Sequence, residues 1–234
     1  MIEVVSPIRL GAVDSTNREA LRHIAAGAPH GTVIQAQQQT DGRGRRGRLW
    51  ISPPGNLYAT LIVRPPVDAP LAQLGFVAAL GAGDALRRYA PVQFKWPNDL
   101  MLYGRKLGGI LVETIEGVAA VGIGINIVSA PEGMETSATR IPADVTPDAL
   151  LDDIRACFDG WYQRWLEDGF LPLREAWLRH GIGLGEPIRA RLAHETVEGV
   201  FGGLNADGGL LLDRNGTRRV IAAGDVFLGI SRCC

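Results

Sequence analysis

The segment at residues 42–50, GRGRRGRLW, most restricts how this chain can fold. It places four arginines among three glycines, although the formal net charge of the chain is only −1. Glycine permits close backbone approach, and arginine offers a fixed fork of donors for phosphate or carboxylate. We predict a loop that closes over an anionic small molecule, with Trp50 on a base or sealing an apolar pocket. Alone, the segment equally fits a solvated basic loop or a nucleic-acid patch.

Composition indicates a folded chain. With 234 residues, of which 46% are hydrophobic and 21% charged, the chain can form one ordinary domain with a small appendage. Cys157, Cys233 and Cys234 form no disulfide framework, and the adjacent pair suggests a reducing compartment. No signal peptide or membrane-spanning apolar segment is visible, so we predict a cytoplasmic protein without a membrane partner. The four histidines show no metal-binding spacing.

Hydrophobic periodicity alternates between helices and strands. A first helix is predicted after residues 14–17, with Thr16 and Glu19 as a capping box. Further predicted helices cover 71–89, a segment beginning at Thr146-Pro147, and 173–180. Predicted strands cover 32–36, 57–63, 92–96, 100–103, 107–113 and 118–128. Short β runs with Gly-rich turns follow Gly181, so we predict an α+β protein whose last part is a small β-barrel or sandwich.

Polar residues at element ends are candidate ligand contacts. Ser15 and Thr16 stand at a helix start, where free N–H groups and hydroxyls can bind a neutral or anionic ligand. Ordinary capping is the more frequent role of such residues. Gln39 ends a strand and can both donate and accept, as recognition of an amide or urea requires.

The segment 95–113, KWPNDLMLYGRKLGGILVE, is chemically unusual. Pro97 fixes a turn, Asn98 offers an amide, and Asp99 could hold Mg²⁺ or orient Lys95. Lys106 follows on a hairpin arm, where its ammonium group could neutralise a carboxylate during attack on a phosphate. A lone lysine would more often be solvated.

Several common catalytic motifs are missing from the sequence. The segment 122–126, GIGIN, lacks the third glycine and the following acidic residue of a dinucleotide fingerprint. There is no P-loop motif, so any ATP chemistry would be of another kind. No zinc spacing and no nucleophile elbow with its partner residues are present either.

Together, residues 14–17 (DSTN), the GRGRRGR loop, KWPND, the RKLxGILVE run and GIGIN resemble biotin protein ligases in order and approximate spacing. The resemblance covers nearly the whole chain. It implies a mixed-sheet catalytic domain of the biotin/lipoate ligase type at residues 1–183, followed by a small SH3-like β-barrel at 184–234. The chain starts close to the first motif, so it resembles the monofunctional type without an N-terminal DNA-binding domain.

The resemblance also implies an activity. A biotin protein ligase activates biotin with ATP and Mg²⁺ as biotinyl-5′-AMP and transfers it to a lysine of a biotin carrier domain, such as that of acetyl-CoA carboxylase. A lipoate or octanoate ligase is the alternative within enzymes. A nucleic-acid-binding regulator is the alternative of another class, disfavoured by the net charge of −1. We expect no nucleic-acid partner and leave a homodimer open.

Site residues are carried over from the resemblance position by position. Lys106 and Arg43 are the implied catalytic residues, and Asp99 is the candidate for Mg²⁺. The implied biotin contacts are Ser15, Thr16, Asn17, Gln39, Gly42, Arg43, Gly44, Arg45, Lys106, Gly109 and Gly122. The implied contacts to ATP or the adenylate are Arg43, Arg45, Arg48, Trp50, Asn98, Lys106 and Asn126. Two positions depart from the family pattern: Asp41 replaces a residue that is often small, and Gly108 a common alanine.

Overall fold

The computed structural model describes residues 6–133 and 135–229. Within these ranges seven strands form the larger sheet: β1 (Ile8–Val13), β2 (Val33–Gln39), β3 (Leu57–Val63), β4 (Gln93–Lys95), β5 (Asp99–Leu102), β6 (Arg105–Ile115) and β7 (Val118–Ile125). The same ranges contain four α-helices: α1 (Thr16–Ala25), α2 (Leu74–Arg87), α3 (Pro147–Asp168) and α4 (Leu171–His180). Five further described strands form a second sheet: β8 (Pro187–Arg191), β9 (Thr196–Leu204), β10 (Leu210–Arg214), β11 (Thr217–Ile221) and β12 (Asp225–Leu228).

The two sheets differ in topology. The larger sheet has the order β1-β2-β3-β7-β6-β5-β4, in which only β1 and β2 are parallel among the described strands. The second sheet has the order β11-β10-β9-β8-β12 and is antiparallel between all described neighbours. The predicted α+β class, a mixed catalytic sheet followed by a small all-β part, is confirmed.

The larger sheet is covered on both faces. All seven residues of β3 are buried, because it lies between the two hydrophobic clusters of the molecule. Leu57 and Leu61 pack in the cluster that includes α2, α3 and α4, while Ile62 packs with Ala20 and Ile24 of α1. This double coverage holds the centre of the sheet rigid and fixes the position of α1, whose first turn reaches the candidate site.

The glycines of α2 allow close packing. A Cβ on Gly81 would lie 2.8 Å from the Cα of Phe158, so α2 and α3 approach closely at this point. Gly83 likewise faces the ring of Phe94. These residues weaken the helix as a sequence signal, but the tertiary contacts that they permit compensate for their low propensity.

Two local predictions differ from the structure. The hydrophobic pattern does not predict β1, an edge strand whose residues are all half-buried or exposed. The capping box at Thr16 was wrong, because Ser15 is the N-cap residue and its side chain makes no capping bond. Thr16 instead donates its own N–H to Gln39 Oε1 at 2.8 Å. The predicted start of α3 is confirmed, since Thr146 accepts the N–H of Ala149 and Pro147 is the first helical residue.

The predictions of no membrane segment and of a reducing compartment concern the helices and the cysteines. In residues 6–133 and 135–229, no helix combines the length and apolarity needed to cross a bilayer. Cys233 and Cys234 lie outside the described residues. Cys157 is a free, half-buried thiol in α3, and burial raises its pKa.

Candidate active site

A cavity of about 170 Å³ lies where α1, β2, the β4–β5 turn, β6, β7 and β12 meet. It is open to the segment at residues 42–50, which we call the arginine loop. The predicted site residues that line it are Ser15, Thr16, Asn17, Gln39, Arg43, Gly44, Arg45, Arg48, Trp50, Asn98, Asp99, Lys106, Gly109, Gly122 and Asn126. Gly42 is the exception. The structure brings these residues together, and their individual roles stay predictions.

One end of the cavity is a largely buried polar network, which we call the floor: Thr16, Asn17, Gln39, Thr60, Glu113 and Gly122. Gln39 Oε1 accepts the Thr16 N–H at 2.8 Å and lies 3.1 Å from Thr16 Oγ1. Gln39 Nε2 donates to Ser52 Oγ at 2.9 Å, and this hydroxyl donates to the Trp50 carbonyl at 2.8 Å. The amide of Gln39 is therefore held at both ends.

Asn17 and Thr60 continue the floor inwards. Asn17 Nδ2 donates to Glu113 Oε2 at 2.8 Å and to the Leu111 carbonyl at 3.3 Å. Thr60 Oγ1 lies 2.7 Å from Asn17 Oδ1 and 2.9 Å from Thr16 Oγ1, and Thr60 is fully buried. A Cβ on Gly122 would lie 2.1 Å from Asn17 Oδ1, so only glycine fits there.

Gly42 acts from outside the cavity. A Cβ at this position would lie 2.3 Å from the Trp50 carbonyl and 2.6 Å from Ser52 Oγ. The Gly42 carbonyl also accepts the Trp50 N–H at 2.9 Å. Glycine thus lets the arginine loop begin against the residues that hold Gln39.

Lys106 lies on β6 at the middle of the cavity. Its Nζ is 2.5 Å from Asp99 Oδ1 and lies over the Trp50 ring, 5.4 Å from the centroid. Lys95 Nζ lies 4.0 Å from Asp99 Oδ2 and over the ring of Phe227. Burial lowers the pKa of Lys95, while Asp99 opposes the shift. The Asp99 carboxylate therefore lies between the ammonium groups of Lys95 and Lys106, and the two lysines concentrate positive charge beside the cavity.

Trp50 lies across two glycines. A Cβ on Gly124 would be 2.8 Å from the Trp50 indole nitrogen, and one on Gly109 would lie 3.8 Å from the ring. The indole N–H is buried without a hydrogen-bond partner among the described residues. Gly109 and Gly124 are neighbours across β6 and β7, so the strand pair provides a flat surface for the indole.

The arginine loop is held by carboxylates of other segments. Arg48 and Arg46 both pair with Asp225 of β12, the latter at 3.5 Å. Arg46 has a left-handed backbone conformation, with φ of 58°. Burial opposes ionisation of Asp225, but the hydrogen bond from Arg48 and the nearby guanidinium groups lower its pKa overall. The second sheet thereby supplies a counter-ion to the loop.

Arg45 points inward from the same loop. It donates to Asn98 Oδ1 at 3.4 Å and to the Gly224 carbonyl at 3.3 Å. Burial lowers its pKa, the largest of several effects that include nearby charges. Asn98 also donates to the Ile110 carbonyl at 2.8 Å, and Asn126 donates to the Thr139 carbonyl at 2.9 Å. Both amides are thus fixed in place beside the cavity.

The two departures from the family pattern have local explanations. Asp41 pairs with Arg18 of α1 at 2.6 Å and with Arg43 at 3.7 Å, so it ties the loop to the first helix. A Cβ on Gly108 would lie 2.6 Å from the Gly124 carbonyl and 2.6 Å from a methyl carbon of Ile125. Both the Gly124 carbonyl and the Ile125 side chain therefore favour glycine at position 108 in this chain.

The residues do not fit a magnesium site built by the protein. Within the described residues, no three His, Cys, Asp or Glu side chains lie together as metal ligands. The Asp99 carboxylate is already compensated by Lys106 and Lys95. Its Oδ1 is bonded to Lys106, so Asp99 offers at most one free oxygen ligand to a cation.

The sequence did not identify the wall supplied by the second sheet. Asp225, Val226 and Phe227 line the cavity together with Glu135, which pairs with Arg191 at 2.9 Å. Tyr58 was also missed: it lines the cavity, donates to the Pro53 carbonyl at 2.8 Å, and burial raises its pKa to about 12. None of these residues belongs to a recognisable motif, so only the fold brings them to the site.

Comparison with known proteins identifies the class to which this fold and site belong. Residues 10–128 match the Biotin/lipoate A/B protein ligase family, and residues 183–229 match the Biotin protein ligase C terminal domain. A biotin–[acetyl-CoA-carboxylase] ligase of Paracoccus denitrificans is 40% identical and aligns over 94% of this chain and 99% of its own length. The chain belongs to the biotin protein ligase family.

Further relatives agree with this family. A biotin–[acetyl-CoA-carboxylase] ligase of Mycobacterium tuberculosis is 30% identical, over 91% of this chain and 85% of its own length. The biotin protein ligase of Aquifex aeolicus in complex with biotin and ATP has a TM-score of 0.85 and 29% identity. That match covers 97% of this chain and 99% of the solved one. The resemblance noted in the sequence is confirmed.

Proposed function

We propose that this chain is an ATP-dependent biotin protein ligase. The observation that carries the proposal is one cavity that combines an oriented amide and hydroxyl pair, Gln39 and Thr16, with Lys106 and the arginine loop. Its family includes named biotin ligases and a structure with biotin and ATP. Gln39 and Thr16 suit the cyclic urea of biotin, since together they can donate and accept.

The first step is adenylation. A carboxylate oxygen of biotin attacks the α-phosphorus of ATP, the bond to the bridging α–β oxygen breaks, and pyrophosphate leaves. Lys106 would hold the carboxylate and then the anhydride oxygen, while Arg43, Arg45 and Arg48 would face the phosphate. Catalysis rests on positioning and charge stabilisation, without a protein nucleophile.

The second step transfers biotin to a protein. The amine of a carrier-domain lysine attacks the acyl carbon, AMP leaves, and the amine loses a proton to solvent. We propose that the acceptor is the biotin carrier domain of a biotin-dependent carboxylase, as the names of the relatives suggest for those proteins. Trp50, Asn98 and Asn126 are proposed on the nucleotide side because they line the cavity beside the loop.

Other parts of the proposal have separate support. The domain boundary at residues 183–184 lies between the end of α4 at His180 and the start of β8 at Pro187. Mg²⁺ stays a prediction, and ATP phosphates would have to supply most of its ligands because the protein side chains do not. A homodimer and a cytoplasmic location also stay predictions.

The test is biotin-dependent release of pyrophosphate from ATP, followed by a mass gain on a carrier domain. We expect both with biotin. Lipoate and octanoate replace biotin as alternative substrates in parallel reactions. Modification with lipoate in preference to biotin would favour the alternative ligase, and no release with any of the three acids would contradict the proposal.

A further inference from the structure

The floor contains two groups, Thr60 and Glu113, that do not line the cavity, although they are bonded to residues that do. Thr60 is fully buried on β3, and Glu113 is half-buried on β6. Thr60 belongs to none of the sequence motifs, and Glu113 ends the RKLxGILVE run but has no role in the proposed function. They are connected to the cavity through Asn17 and Thr16.

Glu113 fixes the orientation of the Asn17 amide. Both groups near one end of this amide, the Glu113 carboxylate and the Leu111 carbonyl, can only accept hydrogen bonds. The nitrogen of Asn17 must therefore face them, since the reversed amide would place oxygen against oxygen. Asn17 Oδ1 is consequently directed at Thr60, 2.7 Å away.

The orientation of Asn17 in turn assigns the hydroxyl hydrogens. Thr60 has one hydrogen and two oxygen neighbours, at 2.7 and 2.9 Å. Because Asn17 Oδ1 can only accept, Thr60 donates to it. The Thr16 hydroxyl then has two oxygen neighbours, Thr60 Oγ1 at 2.9 Å and Gln39 Oε1 at 3.1 Å, and donation to the nearer Thr60 leaves the longer contact unbridged. The opposite order would leave two unbridged oxygens 2.7 Å apart.

This order determines what the cavity offers to a ligand. The Thr16 hydrogen is directed away from the cavity, so Thr16 Oγ1 presents lone pairs. Gln39 Oε1 is occupied by the Thr16 N–H, and one Gln39 Nε2 hydrogen is used by Ser52, which leaves the other without an acceptor among the described residues. The floor thus presents one acceptor and one donor side by side, the complement of the N–H and C=O of a cyclic urea.

We infer that Thr60 and Glu113 are positioning residues that set this donor and acceptor pattern, and hence specificity for the ureido ring. The inference rests on the proposed function. Without the Thr60 hydroxyl, the acceptor left within reach of the Thr16 hydroxyl in the described structure is Gln39 Oε1 at 3.1 Å. Donation in that direction places a hydrogen on the cavity side, where the ureido N–H must approach.

The decisive variant is Thr60→Val, which keeps the shape of the side chain and removes the hydroxyl. We expect the KM for biotin to rise about tenfold, the effect of one lost buried hydrogen bond, with kcat and the KM for ATP within about threefold of wild type. Thr60→Ser restores the hydroxyl and should return the KM for biotin to within about threefold. An unchanged KM in Thr60→Val, or an equal rise in Thr60→Ser, would overturn the inference.

Coupling to Thr16 separates positioning from a general loss of structure. In a Thr16→Val background, Thr60→Val should change the KM for biotin less than about twofold, because Thr60 acts through the Thr16 hydroxyl. Independent, multiplicative effects would contradict this. Thr32→Val is a matched control, since Thr32 is also buried but bonds to the Pro29 carbonyl at 2.9 Å instead of the floor. It should lower thermal stability without changing the KM for biotin.

Glu113 provides a second test that does not disturb the core. Glu113→Gln retains an oxygen that can accept from Asn17, whereas Glu113→Leu has none and leaves the Asn17 amide with only the longer contact to the Leu111 carbonyl, at 3.3 Å. We expect a rise of about tenfold in the KM for biotin only for leucine. Equal constants for the two variants would contradict the inference. Biotin-dependent pyrophosphate release by the wild-type chain distinguishes such a result from failure of the proposed function.

Discussion

The floor of the cavity and the arginine loop are held by interactions of different kinds. In the floor, Thr60 and Asn17 are buried and bonded within a continuous network. In the loop, the side chains of Arg46 and Arg48 are 36% and 52% exposed although both pair with Asp225. Water and salt screen the exposed guanidinium groups of these pairs, although Asp225 itself is only 13% exposed, whereas a buried network is rigid when fully satisfied.

This difference indicates a division of labour. The floor is already shaped before a ligand arrives, so it can select one chemical group. We expect the loop to exchange its pairs with Asp225 and Asp41 for pairs with an incoming anion, because its guanidinium groups are partly exposed. We therefore expect substitutions in the floor to affect affinity for biotin and substitutions in the loop to affect retention of the adenylate.

The largest effect is expected where the two regions meet, at Lys106. Lys106→Ala should lower the single-turnover rate of biotinyl-AMP formation by about 100-fold or more, the scale of losing one key electrostatic group. Arg105→Ala, at the exposed neighbouring position, is the control and should keep the rate. An unchanged rate in Lys106→Ala would show that this lysine is not part of the chemistry.

Gly122→Ala tests the rigidity of the floor. The added Cβ would lie 2.1 Å from Asn17 Oδ1, so the network must move. Overpacking of this kind costs about 1–3 kcal/mol, which corresponds to roughly a 5- to 150-fold loss of affinity for biotin by calorimetry. Gly11→Ala is the control, because nothing lies within 4 Å of its added Cβ. Retained affinity in Gly122→Ala would mean that the floor is adaptable.

Arg45→Gly tests the loop. The substitution removes the positive charge of Arg45 from the cavity. It also removes the hydrogen bonds of the Arg45 side chain to Asn98 and Gly224. We expect release of biotinyl-AMP to accelerate by about tenfold, as follows from the loss of one charge-assisted hydrogen bond. The freed adenylate would label lysines of unrelated proteins. Adenylate release at the wild-type rate would indicate a passive basic surface.

The smallest effect is expected at Asp225. Asp225→Asn should raise trypsin cleavage within the arginine loop about threefold, since it removes a partially screened counter-ion. Asp213→Asn, which removes an ion pair with Arg218 elsewhere on the second sheet, is the control. Biotin and ATP together should suppress loop cleavage in the wild type and in Asp225→Asn. Equal cleavage of Asp225→Asn and wild type would show that Asp225 does not hold the loop.

The same carboxylate predicts a pH dependence. The pKa of Asp225 is lowered in the folded protein, so its contribution to loop stability is complete above its ordinary value near 3.8. The contribution is lost as pH falls below that value toward the lowered pKa. Loop cleavage by an acid-active protease should therefore increase in that range in the wild type, and less in Asp225→Asn.

The sequence predicted the elements better than the contacts between them. Helix α3 and the buried strand β3 follow from local patterns, the N-cap at Thr146 and a continuous apolar run. The site residues in motifs, such as Gln39 and Lys106, were predicted to lie together through the family resemblance. Thr60 and Asp225 were not, because a lone threonine in a strand or an aspartate in a β tail has no local signature. Their importance arises from long-range packing alone.

The cavity takes walls from both ends of the described chain: Ser15 precedes α1, and Phe227 belongs to β12. Translation produces Ser15 before Phe227, and domains generally begin to fold as they emerge from the ribosome. We expect the larger sheet to form during translation while the side contributed by β12 is still missing. A nascent chain would then have a finished floor but no counter-ion for its arginines. Newly made molecules would begin to retain a reactive intermediate only after synthesis of the second sheet.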